Sequence, residues 1–265
     1  MNAWITIDTD DLRHLPRYQG HPTRSKHTAP TNTDDLSEDF QRGLEGFKRW
    51  MESHGHGVTL FVITDLFECE SFRVSFKELL TLFGNRMTVG CHGHSHRSWS
   101  AWPQDDEGFS SMLQTSTVLL KKYAGSAFRP WFRAPNGYVA PWMAEVLARH
   151  EYTVDSSINP SWVVKSKSGK GTSWSQVSRA MDKAGLIERE WLTKWTFPVN
   201  GPALFRFPLS LIAQRAWRTL PEIMNPEQLN RLVPSRQKVV TVYCHLLDFA
   251  RHSGAWQPPI RLTGQ

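Results

Sequence analysis

Ala3-Trp-Ile-Thr-Ile-Asp-Thr-Asp-Asp11 begins as a short apolar, β-branched run and ends in three carboxylates. Residues 3–7 read as a strand. Side chains at i and i+2 share a face of a strand, so Asp8 and Asp10 point to one side and Asp11 elsewhere. The same pattern recurs down the chain: a strand-like run, then a residue with chemistry to offer. Residues 58–63 form a second strand. Residues 87–90 form a third and run into His92 and His96. Residues 128–132 lead to Arg133 and a Pro135-Asn-Gly137 turn, residues 152–154 to Asp155, and residues 238–243 to His245.

Helical patterns lie between these runs. Ser37 precedes Phe40, Leu44, Phe47 and Met51, whose spacings of four, three and four make one apolar face, and Gly55 and Gly57 close the segment. Further helices are predicted over 73–83, 107–123 and 140–150. Residues 13–35 read as a loop, and the Lys-, Ser- and Gly-rich stretch 163–177 as a mobile polar loop. The pattern over 178–232 is not readable, and the tail from 253 is rich in Pro and Gly. Strand alternating with helix predicts an α/β fold with a parallel sheet, open or closed into a barrel. In either case sites gather at the C-terminal ends of strands. There is no internal repeat and no linker, so one domain over 1–265 is expected.

The chain has 265 residues, 40% hydrophobic and 21% charged, a normal size for one such domain and enough for a large core. Its net charge of +6 favours anionic partners only modestly, and no Lys/Arg run or nucleic-acid motif is present, so no nucleic-acid partner is expected. Twelve Trp suit both a core and sugar-ring contacts. Three Cys without CxxC spacing argue against a disulfide framework. No signal peptide or apolar span of transmembrane length is seen, and a cytoplasmic protein is expected, with peripheral membrane contact left open. Oligomeric state cannot be read from the sequence.

His92 and His96 are four apart, so on a helical turn both could reach one metal, though a polar loop explains such a pair as readily. His94 is poorly spaced to join them. A carboxylate beside two His makes a three-ligand site with room for water, and a second carboxylate can act as base. Arg133 could hold a carboxylate, and Asp155 could tune the imidazole of His245. Cys91 and Cys244, next to these His, should face the core.

In order, the chain shows Thr6-Ile-Asp8-Thr-Asp10-Asp11, His92-Gly-His-Ser-His96, Arg133-Ala-Pro-Asn-Gly137, Asp155-Ser-Ser157 and Val242-Tyr-Cys-His245-Leu246. This series resembles the five motifs of the polysaccharide deacetylases, carbohydrate esterase family four, and Thr59-Leu-Phe-Val62 is similar to that family's second strand. The resemblance covers about 5–249, leaving 250–265 as a tail. It implies a distorted (β/α) barrel and a divalent metal, usually Zn2+. Asp8 would be the base, oriented by Arg133, and Asp10, His92 and His96 the metal ligands. His245 would be the general acid, tuned by Asp155. Pro135, Gly137 and Tyr138 would contact substrate, and Leu246 would line the acyl pocket. The family's first motif has adjacent aspartates, whereas here Thr9 separates Asp8 from Asp10, which leaves Asp11 as an alternative ligand. Gly93 stands where the family has Ser or Thr. The wording around Asp155 and His245 resembles the exopolysaccharide-biosynthesis branch. The expected activity is removal of an N-acyl group, acetyl first, from an amino sugar. The alternatives are deformylation of a lipid-linked sugar or hydrolysis of a small non-sugar amide, and a non-catalytic glycan-binding protein on the same scaffold.

Overall fold

Along β1 (Asn2–Asp8) every residue after Asn2 is buried, but alternate side chains enter different environments. Ala3, Ile5 and Ile7 join the large core formed with the helices. Trp4 joins a smaller core with Phe61, Trp131 and Val154, and Thr6 and Asp8 follow Trp4 on that side. Burial on both faces is what a parallel sheet covered by helices requires. The small core is the interior of a curled sheet.

The computed structural model describes residues 1–28 and 35–261. The expectations for a loop over 13–35 and for the terminal tail fall partly outside the described residues. The remaining strands are β2 (Val58–Val62), β3 (Met87–Cys91), β4 (Phe128–Phe132), β5 (Val154–Asp155), β6 (Ile187–Glu188), the antiparallel pair β7 (Thr193–Lys194) and β8 (Phe197–Pro198), and β9 (Val239–His245). Six of them join β1 in one seven-stranded sheet in the order β6-β5-β4-β3-β2-β1-β9, with every neighbouring pair parallel. Just past β6, Trp191 makes a parallel bridge to Thr241 of β9, and the Leu192 N–H donates to the Thr241 carbonyl at 2.8 Å. The two sheet edges therefore meet over a very short seam. This is the distorted (β/α) barrel expected from the sequence.

One helix follows each of the first five strands: α1 (Glu38–Glu52), α2 (Glu70–Phe83), α3 (Asp106–Ala124), α4 (Met143–Arg149) and α5 (Trp174–Lys183). α6 (Leu209–Arg218) and α7 (Pro226–Leu232) precede β9. The Ser37 hydroxyl caps α1 by accepting from the Phe40 N–H, and Phe40, Leu44, Phe47 and Met51 are all buried, as their spacing predicts. Inside the barrel, Trp4 packs edge-on against Phe61 and Trp131, with centroids 5.8 and 5.6 Å away. Leu229 and Leu232 of α7 belong to the same interior core. A Cβ on Gly90 would sit 2.6 Å from the Phe61 ring, so bare backbone on β3 is what admits that ring.

The polar stretch 163–177 holds internal hydrogen bonds, and its last residues, 174–177, open α5 rather than continue a loop. Ser168 is buried, its hydroxyl donates to the Thr172 carbonyl at 2.8 Å, and Ser100 donates to the Lys167 carbonyl. The unreadable stretch 178–232 holds most of α5, the short strands β6 to β8, α6 and α7. No helix among the described residues is long and apolar enough to cross a membrane.

Candidate active site

The inward face of the barrel continues upward into the site. On β1 the row runs Trp4, Thr6, Asp8, and on β9 it runs Thr241, Tyr243, His245. Parallel register sets Thr6 beside Tyr243 and Asp8 beside His245. His92 follows the last residue of β3, and Arg133 the last residue of β4. Cys91 and Cys244, on the opposite face, lie in the main core, as alternation predicts.

Arg133 is fully buried and its donors are engaged. One terminal nitrogen donates to the Thr6 hydroxyl and to Asp8 Oδ1, both at 2.7 Å. Nε donates to the Ser156 carbonyl and the other terminal nitrogen to the Ser156 hydroxyl, each at 2.9 Å. The guanidinium also lies 4.3 Å from the Phe61 centroid and 5.3 Å from that of Tyr243. Asp8 is thereby oriented by a group that is itself anchored to Thr6 and Ser156.

His92 and His96 do not lie on a helical turn. Gly93 and His96 have φ of +82° and +56°, and the left-handed turns of this loop bring the two rings to 5.0 Å. His92 Nδ1 lies 2.9 Å from the Arg133 carbonyl, and His96 Nδ1 lies 2.7 Å from the His14 carbonyl. A carbonyl only accepts, so each Nδ1 carries the hydrogen, and in the neutral ring Nε2 carries a lone pair. Both Nε2 atoms face Asp10. His92 Nε2 is 3.7 Å from Asp10 Oδ2, and His96 Nε2 is 2.7 Å from Asp10 Oδ1 without the alignment of a hydrogen bond. Asp10 Oδ2 is buried with no hydrogen bond. Two histidines oriented by backbone carbonyls and an unsatisfied carboxylate oxygen, with ligand atoms all within 4.8 Å of one another, fit a divalent cation. Burial lowers His92 to about 4, so it is neutral at ordinary pH. Burial opposes charge on Asp10 and His96 as well, but each stabilises the other's charge: Asp10 is drawn well down and His96 up.

Asp11 is not placed to act as the alternative ligand. Its carboxylate accepts from the Leu12 N–H at 2.6 Å, from the Ser37 N–H at 3.1 Å and from the Ser37 hydroxyl, tying β1 to the start of α1. Thr9 turns outward, accepting from the Ile63 N–H at 3.0 Å. His94 faces Thr64, 3.0 Å away.

His245 has a carboxylate partner, but a different one from that expected. Asp248 Oδ2 accepts from the His245 N–H at 2.9 Å and sits 3.3 Å from Nδ1. Burial lowers the His245 pKa, yet Asp248, with Asp10 and Asp8 behind it, overrides this and raises it to about 9. Asp155 accepts from the Ser157 hydroxyl at 2.7 Å and pairs with Glu188 on the neighbouring strand. Asp248 is not among the site residues expected from the sequence. Its signal was the spacing His-x-x-Asp, which forms a reciprocal cap on the short helical turn Leu246–Ala250.

Asp8, Asp10, His92, His96 and His245 line a cavity of about 480 Å³, with Trp191, Tyr243 and Asn159 among its other walls. It continues into an outer recess of about 800 Å³ lined by Leu247, Phe205 and Arg251, sharing Arg24, Asn136 and Arg206. Of the expected substrate contacts, only Gly137 lines this space. Leu246 is buried in the core and Leu247 faces the recess instead. Pro135 packs over Gly93, and the Tyr138 hydroxyl pairs with His21 Nε2 at 3.0 Å.

Fold and site together define a barrel with two histidines and a carboxylate gathered at the C-terminal strand ends, flanked by a fixed carboxylate and a charged imidazole. A more particular likeness comes from comparison with known proteins. Residues 25–154, just under half of the chain, match the polysaccharide deacetylase family model. That segment holds His92, His96 and Arg133, while Asp8, Asp10 and His245 lie outside it. A search of curated proteins finds no match. Among solved structures the chain is similar to a candidate polysaccharide deacetylase from Mycobacterium smegmatis, at 14% identity and a TM-score of 0.57, over 99% of this chain and 86% of that one. It is also similar to a candidate polysaccharide deacetylase involved in O-antigen biosynthesis from Bordetella bronchiseptica, at 12% identity and a TM-score of 0.44, over 92% and 71%. The catalytic domain of a peptidoglycan N-acetylglucosamine deacetylase from Eubacterium rectale is similar at 12% identity and a TM-score of 0.42, over 95% and 79%. At such identities the likeness is one of fold, and the Mycobacterium smegmatis structure carries it.

Proposed function

We propose that this chain is a metal-dependent hydrolase removing an N-acyl group, acetyl in the first instance, from an amino sugar in a glycan or glycan precursor. The observation that carries this reading is the set of two Nε2 atoms and one unsatisfied carboxylate oxygen, placed between Asp8 and His245 in a single cavity. Asp10, His92 and His96 would hold the metal, and a nitrogen–oxygen set of three ligands favours zinc. When bound, the metal supplies Lewis acidity at the acyl carbonyl.

The chain's own residues account for the proton transfers. Asp8 Oδ1 is taken by Arg133, which fixes the carboxylate and leaves Oδ2 toward the cavity to accept a proton from the attacking water. His245 donates a proton to the departing amine, and Asp248 keeps it charged up to about pH 9. Trp191 and the Asn136 and Asn159 side chains offer an apolar face and hydrogen-bonding groups, as a sugar ring needs.

The test is elemental analysis of purified protein together with acyl release from a panel of N-acetylated and N-formylated sugars and oligomers. One divalent metal per chain and release abolished by chelation are expected. Metal-free protein that gains no activity on supplementation with zinc, on any member of the panel, overturns the proposal.

A further inference from the structure

The cavity mouth carries positive charge that the proposed chemistry does not use. Arg24 and Arg206 line both the inner cavity and the outer recess, and Lys167 lines the inner cavity. The carboxylates of the same walls all have partners. Asp8 is paired with Arg133, Asp10 with His96, Asp39 with Arg42, and Asp248 with His245 and Arg251. Among the described residues, none of Arg24, Lys167 and Arg206 forms an ion pair. Lys167 Nζ donates to the Asn136 carbonyl at 2.5 Å. Burial, and to a lesser degree the Arg24 charge, lower its pKa to about 8. Around Lys167 and Arg206 the flanking sequence adds no relief: residues 156–181 and 191–221 contain no Asp or Glu, but hold Lys165, Lys170, Arg179, Lys194, Arg215 and Arg218.

Uncompensated like charges around a cavity repel one another, and an anion entering that cavity removes the penalty. Two guanidinium forks and an ammonium match a doubly charged tetrahedral oxyanion better than a single carboxylate. Taking the cavity as the amino-sugar site proposed above, we propose that the substrate bears a phosphate group on or beside the sugar, held by Arg24, Lys167 and Arg206. The phosphate belongs either to a soluble sugar phosphate or to a lipid-linked one. Phe207 and Leu211, 81% and 62% exposed beside Arg206, would suit the second.

Two measurements on the metal-loaded protein test this. The first is calorimetric titration with inorganic phosphate of the wild type and of a chain carrying Arg24→Gln and Arg206→Gln. Charge-assisted contacts predict that the double variant binds phosphate at least about tenfold more weakly. Equal binding by both chains, as from phosphate seated on the metal alone, or no binding by either, overturns the proposal. The second compares kcat/KM for acyl release from N-acetylglucosamine 1-phosphate, from its methyl glycoside and from an N-acetylated uronic acid. The phosphate should be preferred by about tenfold or more, and the preference should collapse in the double variant. A preference for the neutral or uronic substrate overturns the proposal. A fourth substrate in the same comparison presents the sugar phosphate on a polyprenyl chain in detergent micelles, and faster release there assigns the phosphate to a lipid. Phosphate binding that depends on the two arginines, without turnover of any amide, removes the hydrolase reading and keeps the anion site. Turnover of neutral amides without phosphate preference does the reverse.

Discussion

At Asp8 one carboxylate oxygen is committed and the other is free to react: Oδ1 accepts from Arg133, and Oδ2 lies 3.9 Å from His92 Nε2 on the cavity side. Asp8→Asn keeps the shape and removes the basicity. Turnover should fall by on the order of 10²–10⁴, the usual range for an acid–base group, while elemental analysis finds metal retained. Loss of metal would move Asp8 into the ligand set. His245→Ala should cost a similar factor with metal content unchanged. The imidazole is held charged by Asp248, so its acid form persists as pH rises to about 9. Asp248→Asn removes the acceptor charge, the His245 pKa falls, and the alkaline limb of the pH–rate profile should move to lower pH. A limb that stays in place would separate His245 from the limb. Asp155→Asn should leave the limb where it is, because Asp155 bonds Ser157 and pairs with Glu188 rather than with His245.

What was legible at the level of elements follows from what a sequence encodes locally. The strands β1, β2, β3, β4 and β9 and the helix α1 announce themselves by period, and with them the placement of Asp8, Asp10, Arg133 and His245. Strand alternation alone sends Cys91 and Cys244 outward. The pairing of Asp155 was not legible, because it depends on the sheet: β5 is in register with β4 and β6 and not with β9. β6, β7 and β8 are two residues each, too short to show a period. Spacing leaves the histidine pair open between a helical turn and a polar loop, because it cannot report the positive φ of Gly93 and His96. The β5–β6 junction yields a prediction of its own. Register sets Asp155 beside Glu188, and burial plus the Asp155 charge raises the Glu188 carboxyl well above its ordinary value. A carboxyl raised on folding gives stability that is full below its ordinary value near 4.5 and lost as pH rises through the folded value. Glu188→Gln has no such proton to lose. Its Tm relative to wild type should therefore rise between pH 5 and pH 8, and a difference that stays flat across that range would dissolve the shared-proton pair.

For the whole molecule, the proposed ligands matter because of where they come from. Asp10 follows β1, while His92 and His96 follow β3, with β2 between them in the sheet. A cation held by all three ties separate strands together in the folded chain and has no comparable site in the unfolded one. Binding then stabilises by mass action, about 2.7 kcal/mol at a free concentration one hundred times Kd. At roughly 2–4 °C per kcal/mol for a chain of about this size, zinc should raise Tm by roughly 5–10 °C. The cation competes with the proton that Asp10 draws onto His96, so the increment should grow with rising pH. Two variants separate the site from general ion effects. Asp10→Asn removes a ligand and should abolish the increment. Asp11→Asn exchanges Oδ2, which accepts from the Ser37 N–H, for a donor, so it should lower Tm in both the presence and absence of zinc, yet leave the increment intact. Thermal denaturation of the three chains with and without zinc decides between the two aspartates. An increment that survives in Asp10→Asn and disappears in Asp11→Asn would transfer the ligand role one residue along the chain, and one that survives in both would place the cation elsewhere.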